Sequence, residues 1–149
     1  MSTRTKILIG VGALAVLVLV LSRGGEPSAR LQALKSDPMG SYAPPGGTLV
    51  DTTSQNEGTA LGKPVSASYT RMFELGIEAA TKALERARAA AVEAGWTPVD
   101  DDSSRGLVAH KRLSSGRAEL VITEFKDSLL LPKDVKPPAL QVSLRDLGQ

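Results

Sequence analysis

The chain contains no cysteine, and this absence excludes several kinds of chemistry at once. Without a thiol there is no disulfide, no thiolate metal site, no cysteine nucleophile and no site for lipoprotein acylation. Histidine is almost as scarce, since His110 is the single one and cannot form a multi-histidine zinc site by itself. The sequence therefore predicts no bound metal and no cofactor. The one metal site that it leaves open is a site made of one histidine and two carboxylates.

Aromatic residues and clustered charges are also scarce. Two Phe, two Tyr and one Trp leave little for stacking on bases. Lys and Arg number 18 against 16 Asp and Glu, and both signs are scattered along the chain. Nucleic-acid binding needs clustered cations that displace counterions. We therefore predict no nucleic-acid partner, and the 149 residues leave room for one domain with an attachment.

A nucleotide-binding loop is excluded by the spacing of the stretch NEGTALGKPV. Such a loop needs four residues between its glycines, then Lys with Ser or Thr, and a helix after it. Only three residues separate Gly58 from Gly62, and Pro64 stands where the hydroxyl is needed. We therefore predict no bound nucleotide, and expect this stretch to turn the chain into the first strand of a domain.

The longest apolar run begins at Ile7, passes through Leu14 and ends at Leu21. As a helix its fifteen residues cover about 22 Å. The hydrocarbon core is about 30 Å thick, and flanking cations can snorkel to make up the difference. We expect residues 1–22 to be an uncleaved transmembrane signal anchor, because no A-x-A-like site follows. A cleaved signal peptide and a buried core helix are the alternatives.

The orientation of this anchor rests on its short N-terminal tail, because Lys and Arg are nearly balanced on its two sides. A short polar tail before an apolar run is the usual layout of a signal anchor, which leaves the tail in the cytoplasm. We therefore predict a single-pass protein of the cell membrane, in contact with cytoplasmic membrane lipid. Its N-terminus is then cytoplasmic and its C-terminal domain extracytoplasmic.

Residues 23–64 are rich in Gly, Pro, Ser and Thr, which predicts a connector with no core of its own. A short helix from Arg30 to Lys35 is expected within it, stopped by the pair Asp37 and Pro38. Leu31 and Leu34 share one face of this helix. They either lie on the membrane surface or pack on the domain.

A domain is predicted from residue 65 to residue 149. Val65 to Phe73 alternates with period two, and from Ile77 the period changes to that of an amphipathic helix that ends at Gly95. The apolar stripe of this helix comprises Ile77, Ala80, Leu84, Ala87, Ala91 and Ala94.

Further alternating segments follow the helix. They are Trp96 to Val99, Leu107 to Leu113, Arg117 to Lys126 and Ala139 to Leu147. Ser114, Ser115 and Gly116 are expected to join two of them as a hairpin. The order β-α-β-β-β-β predicts a two-layer α+β domain, with one helix packed on an antiparallel sheet.

No group of residues predicts catalysis. Asp100 to Asp102 form an acidic spot, but the glycine and glutamate that a calcium-binding EF-hand loop requires are missing. His110 has no activated nucleophile, since no G-x-S-x-G motif is present. Glu119 and Glu124 fall on opposite sides of their strand and cannot act as a pair.

The segment LLLPKDVKPPALQV places Leu129, Leu130 and Leu131 in a loop, because prolines follow them. Loops seldom contain three consecutive leucines. These residues either fold back over an open end of the sheet or form a docking surface for a membrane or protein partner.

The order of features resembles that of small single-pass, membrane-anchored proteins of actinobacteria. The resemblance rests on the anchor, on DPMGSYAPPGG and QNEGTALGKPV in the connector, and on AAAVEAGW and LPKDVKPPALQVSL in the domain. It implies a cell-envelope setting and carries no catalytic residues. We expect a non-enzymatic accessory or interaction protein that associates with a larger membrane or envelope assembly. The alternatives are an exported ligand-binding module, using a sheet face with Ser66, Ser68 and Thr70, and an enzyme of unfamiliar type.

Overall fold

The computed structural model describes residues 26–100 and 106–148, which contain three helices and eight strands. The helices are α1 (Ala29–Ser36), α2 (Pro38–Ser41) and α3 (Ile77–Glu93). The strands are β1 (Gly47–Gln55), β2 (Gly58–Ala60), β3 (Lys63–Val65), β4 (Ser68–Leu75), β5 (Thr97–Asp100), β6 (Gly106–Leu113), β7 (Gly116–Phe125) and β8 (Ala139–Gly148). The predicted anchor and most of the acidic spot lie outside the described residues.

Six strands form one antiparallel sheet in the order β1-β4-β8-β7-β6-β5. The other two, β2 and β3, pair as a separate hairpin between β1 and β4. The predicted α+β class, with a helix packed on an antiparallel sheet, is confirmed. From β4 onwards the order of elements also follows the prediction, whereas β1, β2 and β3 precede the strand that was expected to open the domain.

Alternation along the strands places the hydrophobic core on one face of the sheet. In β8, Leu140, Val142 and Leu144 are fully buried, as their spacing predicted. Neighbouring strands place their buried side chains on the same face of the sheet, and the helices cover this face. The residues of this core cluster include Leu31, Leu34, Met39, Phe73, Leu75, Ala83, Leu84, Ala87, Ala91, Trp96, Leu107, Ala109, Ala118, Leu120 and Ile122.

Helix α3 packs through small side chains, since Ala83, Ala87 and Ala91 are buried together with Leu84. Alanine lets the helix approach the sheet closely, and the larger side chains of the strands fill the core between them. The predicted stripe fails at its first member, because Ile77 is 85% exposed. Burial increases along the helix from this first residue, and only the later turns lie over the sheet.

The end of α3 has the geometry that its glycine predicted. Gly95 adopts a φ of 86°, in the left-handed region that favours glycine. Its amide donates to the Val92 carbonyl at 2.9 Å, and the Trp96 amide donates to the Ala91 carbonyl at 3.0 Å. These two bonds are those of a Schellman motif, which satisfies carbonyl groups that a helix leaves free at its end.

The folded unit begins well before residue 65, which corrects the predicted extent of the connector. Leu31 and Leu34 in α1 are 3% and 0% exposed, and Met39 in α2 is 1% exposed. β1 also belongs to the main sheet, paired along β4. Of the two positions considered for Leu31 and Leu34, the structure shows packing on the domain. Few apolar residues suffice here because the sheet supplies the rest of the core.

Arg71 interrupts the apolar side of β4 because it fastens α2 to the sheet. Its guanidinium donates to the Tyr42 carbonyl at 2.8 Å and to the Gly40 carbonyl at 3.3 Å. It also lies 4.9 Å from the centroid of the Phe73 ring. A cation on the core side is thus satisfied by carbonyls at the end of a short helix and by an aromatic face.

The loop from residue 126 to residue 138 covers one end of the opposite face of the sheet. Its Val135 packs with Met72 and Ala139, and Phe125 and Leu131 lie against this small cluster. Two hydrogen bonds fasten the loop. The Lys136 amide donates to Glu74 Oε1 at 2.8 Å, and the Leu75 amide donates to the Pro138 carbonyl at 2.9 Å.

Candidate docking surface

The three leucines of the predicted docking segment separate into two groups. Leu131 is half-buried against the small cluster beneath the loop. Leu129 and Leu130 are 86% and 77% exposed. Folding back over the sheet therefore describes Leu131 alone, and two adjacent leucines are presented to solvent.

Hydrogen bonds within the loop hold these two leucines outward. The Leu129 amide donates to Asp127 Oδ1 at 3.1 Å, a short side-chain turn of the kind that Asp favours. The Leu131 amide donates to the Ser128 carbonyl at 3.3 Å. Because Leu131 is also packed beneath the loop, the turn is fixed at both ends. The exposed leucines thus belong to a structured turn.

A shallow groove next to this turn extends to the start of α3. One depression lies between α3 and the end of β7, and Ile77 and Leu84 line it. A second lies beside Leu129 and Leu130. Glu124 and Lys126 line both depressions, so the two adjoin. Sequence reasoning missed Ile77 because its spacing fits the buried stripe of the helix equally well.

The N-terminal end of the described chain lies at the other end of the sheet. Asn56, just after β1, donates to the Glu26 carbonyl at 3.3 Å and accepts from the Ser28 amide at 2.8 Å. The Ser28 hydroxyl donates to Glu57, and this bond lowers the pKa of that carboxyl. Arg30 pairs with the buried Asp146 near the end of β8, at 3.5 Å.

These contacts place the exposed leucines far from the N-terminal segment. Asp146 lies near the last residue of β8, whereas the leucine loop runs into its first residue, Ala139. Ala139 and Asp146 are seven residue steps apart, and an extended strand covers about 23 Å over that length. We call Ile77, Leu129 and Leu130, with Glu124 and Lys126 between them, the distal surface.

The uncovered part of the opposite sheet face carries polar groups that bond to one another. Thr70 Oγ1 and Ser143 Oγ lie 2.7 Å apart. Arg145 donates to Glu119 at 2.7 Å, and His110 Nε2 lies 3.5 Å from the other oxygen of the same carboxylate. The Glu119 carboxylate therefore contacts both the Arg145 guanidinium and the His110 imidazole on this face.

The structure also locates the remaining polar candidates. Glu124 lies on the helix side of β7, so the predicted separation of Glu119 from Glu124 is confirmed. Ser68 and Thr70 lie on the uncovered face, half-buried in β4, and Ser66 lies outside the strand. His110 also lies on this face, and sequence reasoning missed its partner Glu119, which belongs to the neighbouring strand.

A buried carboxylate, Asp37, lies at the centre of a polar cluster. Asp37 Oδ1 accepts from the Met39 amide at 2.9 Å and from Trp96 Nε1 at 3.0 Å. Lys111 Nζ donates to Asp37 Oδ2 and to the Ala94 carbonyl, both at 2.6 Å. Every group in the cluster has a partner, and the arrangement ties α2, the end of α3 and β6 together.

The described part of the chain brings no metal-binding set together. Within residues 26–100 and 106–148, no three His, Asp or Glu side chains lie close enough to hold a metal ion. The same residues contain no helix of the length and hydropathy needed to cross a bilayer. Ile7, Leu14 and Leu21, the residues of the predicted anchor, fall outside these ranges.

Comparison with known proteins returns no relative. No protein-family model, no curated protein and no solved structure matches the chain.

Proposed function

We propose that this protein is a non-enzymatic accessory protein, anchored in the cell membrane by Ile7–Leu21. Its folded domain contacts a protein partner in a larger membrane or envelope assembly through the distal surface. In this arrangement the N-terminus is cytoplasmic and the domain extracytoplasmic.

The observation that carries the proposal is the exposure of Leu129 and Leu130 at the end of the domain remote from Glu26. Two adjacent leucines are 86% and 77% exposed on a hydrogen-bonded turn. Covering them with a partner removes apolar surface from water, and this lowers the free energy of the complex. Ile77 extends the apolar area, and Glu124 with Lys126 adds charges of both signs. An apolar centre beside polar groups is the usual composition of a protein interface.

The geometry also suits a tethered protein. Glu26 lies a few residues after the apolar run and is held at the near end of the sheet by Asn56. The distal surface then faces away from the bilayer. A protein partner that rises from the same membrane, or lies above it, can reach this surface.

The main polar clusters favour a structural role over a catalytic one. The Asp37 carboxylate receives three donors from within the chain, and Glu119 is shared by Arg145 and His110. General acid–base groups act on a substrate through atoms that are free to contact it. These carboxylates are already engaged by neighbouring side chains.

Ligand binding on the uncovered sheet face is the alternative, and the same observations disfavour it. The hydroxyls of Thr70 and Ser143 bond to each other, and Arg145 bonds to Glu119. A ligand would have to replace these contacts. The loop over Met72 also covers one end of the face.

The test is a Leu130→Asp substitution in the full-length, membrane-bound protein. Its side chain is exposed, so we expect an unchanged melting temperature and unchanged Trp96 fluorescence. Affinity purification after detergent extraction should recover one stoichiometric membrane partner with the wild type. The variant should bind this partner about 30-fold more weakly or worse, as expected for a central interface residue.

Val92→Asp is the control, because it introduces the same charge at an exposed apolar residue near the opposite end of α3 from Ile77. It should retain the partner. If Leu130→Asp unfolds the domain, the leucine serves packing and the proposal fails. It fails equally if the folded variant retains its partner, or if the wild-type protein purifies alone.

A further inference from the structure

The tip of the β2–β3 hairpin carries an unusual residue. Leu61 and Gly62 form a two-residue turn in which both have positive φ, 51° and 76°. Hairpin turns of this kind favour Asn, Asp or Gly, because a bulky side chain rarely adopts the left-handed conformation. Leu61 is also fully exposed, at 103%. An apolar residue thus occupies a position where local conformation and contact with water both disfavour it.

The hairpin is attached to the N-terminal segment. Asn56 and Glu57, which lead into β2, bond to Glu26 and Ser28. The hairpin continues past the C-terminal end of β1 and the N-terminal end of β4. It therefore lies at the end of the sheet opposite the leucine loop. The hairpin thus lies at the same end of the sheet as Glu26 and Ser28.

The length of the intervening chain places this hairpin near the bilayer. Five peptide units join Leu21 to Glu26, and an extended chain covers at most about 17 Å over them. Each hairpin strand contains three residues, or about 10 Å. The tip can therefore reach the headgroup region in which the end of the anchor lies.

We infer that the β2–β3 hairpin is a second membrane contact, in which Leu61 enters the boundary between lipid headgroups and acyl chains. Lys63, exposed two residues later, can lie among the lipid phosphates while its stem follows Leu61. The inference rests on the proposed membrane anchor. Its consequence is that the domain is held at a defined orientation, with the distal surface directed away from the bilayer.

The other element considered for membrane contact is already occupied. Leu31 and Leu34 of α1 are buried in the domain core, so they offer no apolar face to lipid. The leucines of the distal surface lie at the far end of the sheet. Among the described residues near the N-terminal end, Leu61 is the large apolar side chain that is fully exposed.

The absence of cysteine makes a direct test clean. Leu61→Cys in the full-length protein is labelled with an environment-sensitive nitrobenzoxadiazole dye. The labelled protein is then reconstituted in vesicles of phosphatidylethanolamine and phosphatidylglycerol. Lipids with a nitroxide group near the headgroup should quench most of the fluorescence. Leu129→Cys, another exposed leucine, is the matched control and should stay at the quenching level of a label in solution.

Flotation of the vesicles on a density gradient separates the failure of this inference from the failure of the anchor. If the protein floats with the vesicles but the label at position 61 is not quenched, the hairpin does not contact lipid and the anchor stands. Equal quenching at positions 61 and 129 would also overturn the inference, since the domain would then lie flat on the membrane. A protein that does not float would overturn both proposals.

Discussion

At the scale of single residues, Asp37 connects parts of the chain that are distant in sequence. It is the N-terminal cap of α2, and it accepts hydrogen bonds from Trp96 and Lys111, 59 and 74 residues later. Its side chain is 1% exposed, whereas that of Lys111 is 22% exposed. A charge that is so deeply buried is stable only while its donors remain in place.

Asp37→Ala should therefore destabilise the domain strongly. The variant loses the helix cap and leaves Lys111 without its carboxylate, and removing one partner of a buried pair typically costs about 3–5 kcal/mol. The measurement is urea unfolding of the full-length protein in detergent micelles, followed by the fluorescence of Trp96, the only tryptophan.

Asp51→Ala is the control for this experiment, because Asp51 is an exposed carboxylate in β1. Its free energy of unfolding should stay within about 0.5 kcal/mol of the wild-type value. An Asp37→Ala variant that is as stable as Asp51→Ala would show that the buried cluster makes no net contribution to the free energy of unfolding.

At the scale of elements, the corner between α1 and α2 depends on close backbone approach at Gly40. A Cβ atom there would lie 2.5 Å from the Leu34 carbonyl oxygen and 2.8 Å from the Lys35 carbonyl oxygen. Both obstacles belong to the backbone of α1, so no side chain can rotate away. The two helices could accept a larger residue only by moving apart, which would draw Met39 out of the core.

Gly40→Ala should accordingly lower the free energy of unfolding by about 1–3 kcal/mol, the usual cost of overpacking. Gly58→Ala is its matched control, because a Cβ atom at Gly58 meets nothing within 4 Å. Urea unfolding of both variants should separate them clearly. Equal stabilities would mean that the corner relaxes without cost.

At the scale of the whole molecule, the N-terminal third of the described chain is part of the fold. α1 and α2 cover the core, and β1 pairs with β4 over most of its length. The sheet would lose an edge strand and three large core side chains if the chain began at Pro64, the boundary suggested by composition.

A chain that begins at Glu26 should fold, whereas one that begins at Pro64 should not. Without Leu31, Leu34 and Met39, the core face of the sheet is open to water, and Trp96 loses its hydrogen-bond acceptor Asp37. The readouts are the emission maximum of Trp96 and resistance to proteolysis. Native-like emission from the shorter chain would contradict the structure.

Local periodicity explains which features the sequence predicts. The alanine stripe of α3, the Gly95 cap and the alternation of β7 and β8 each depend on residues a few positions apart. The prolines after Leu131 likewise identified the leucine loop, and two of its three leucines are exposed as a docking surface requires.

Features that depend on distant contacts were not predictable. The alternation from Thr48 to Thr52 predicts a short strand, and β1 contains it. Its place in the main sheet was not predictable, because β1 is exposed along almost its whole length and joins the sheet by pairing with β4. α1 and α2 have a composition typical of a linker. Their few apolar side chains belong to the core only because the two helices pack on the sheet. Ile77 fits the helix stripe by spacing, and only its position at the start of α3 leaves it exposed.

The order of residues alone is enough to predict the α+β class, the antiparallel sheet from β4 onwards, the helix that covers it and a membrane anchor. These depend on hydrophobicity and its period, which are properties of neighbouring residues. The folded structure was needed to show where the domain begins, which leucines face solvent, and that the hairpin tip and the distal surface lie at opposite ends. Those properties depend on which remote segments meet, and strand pairing and burial decide that.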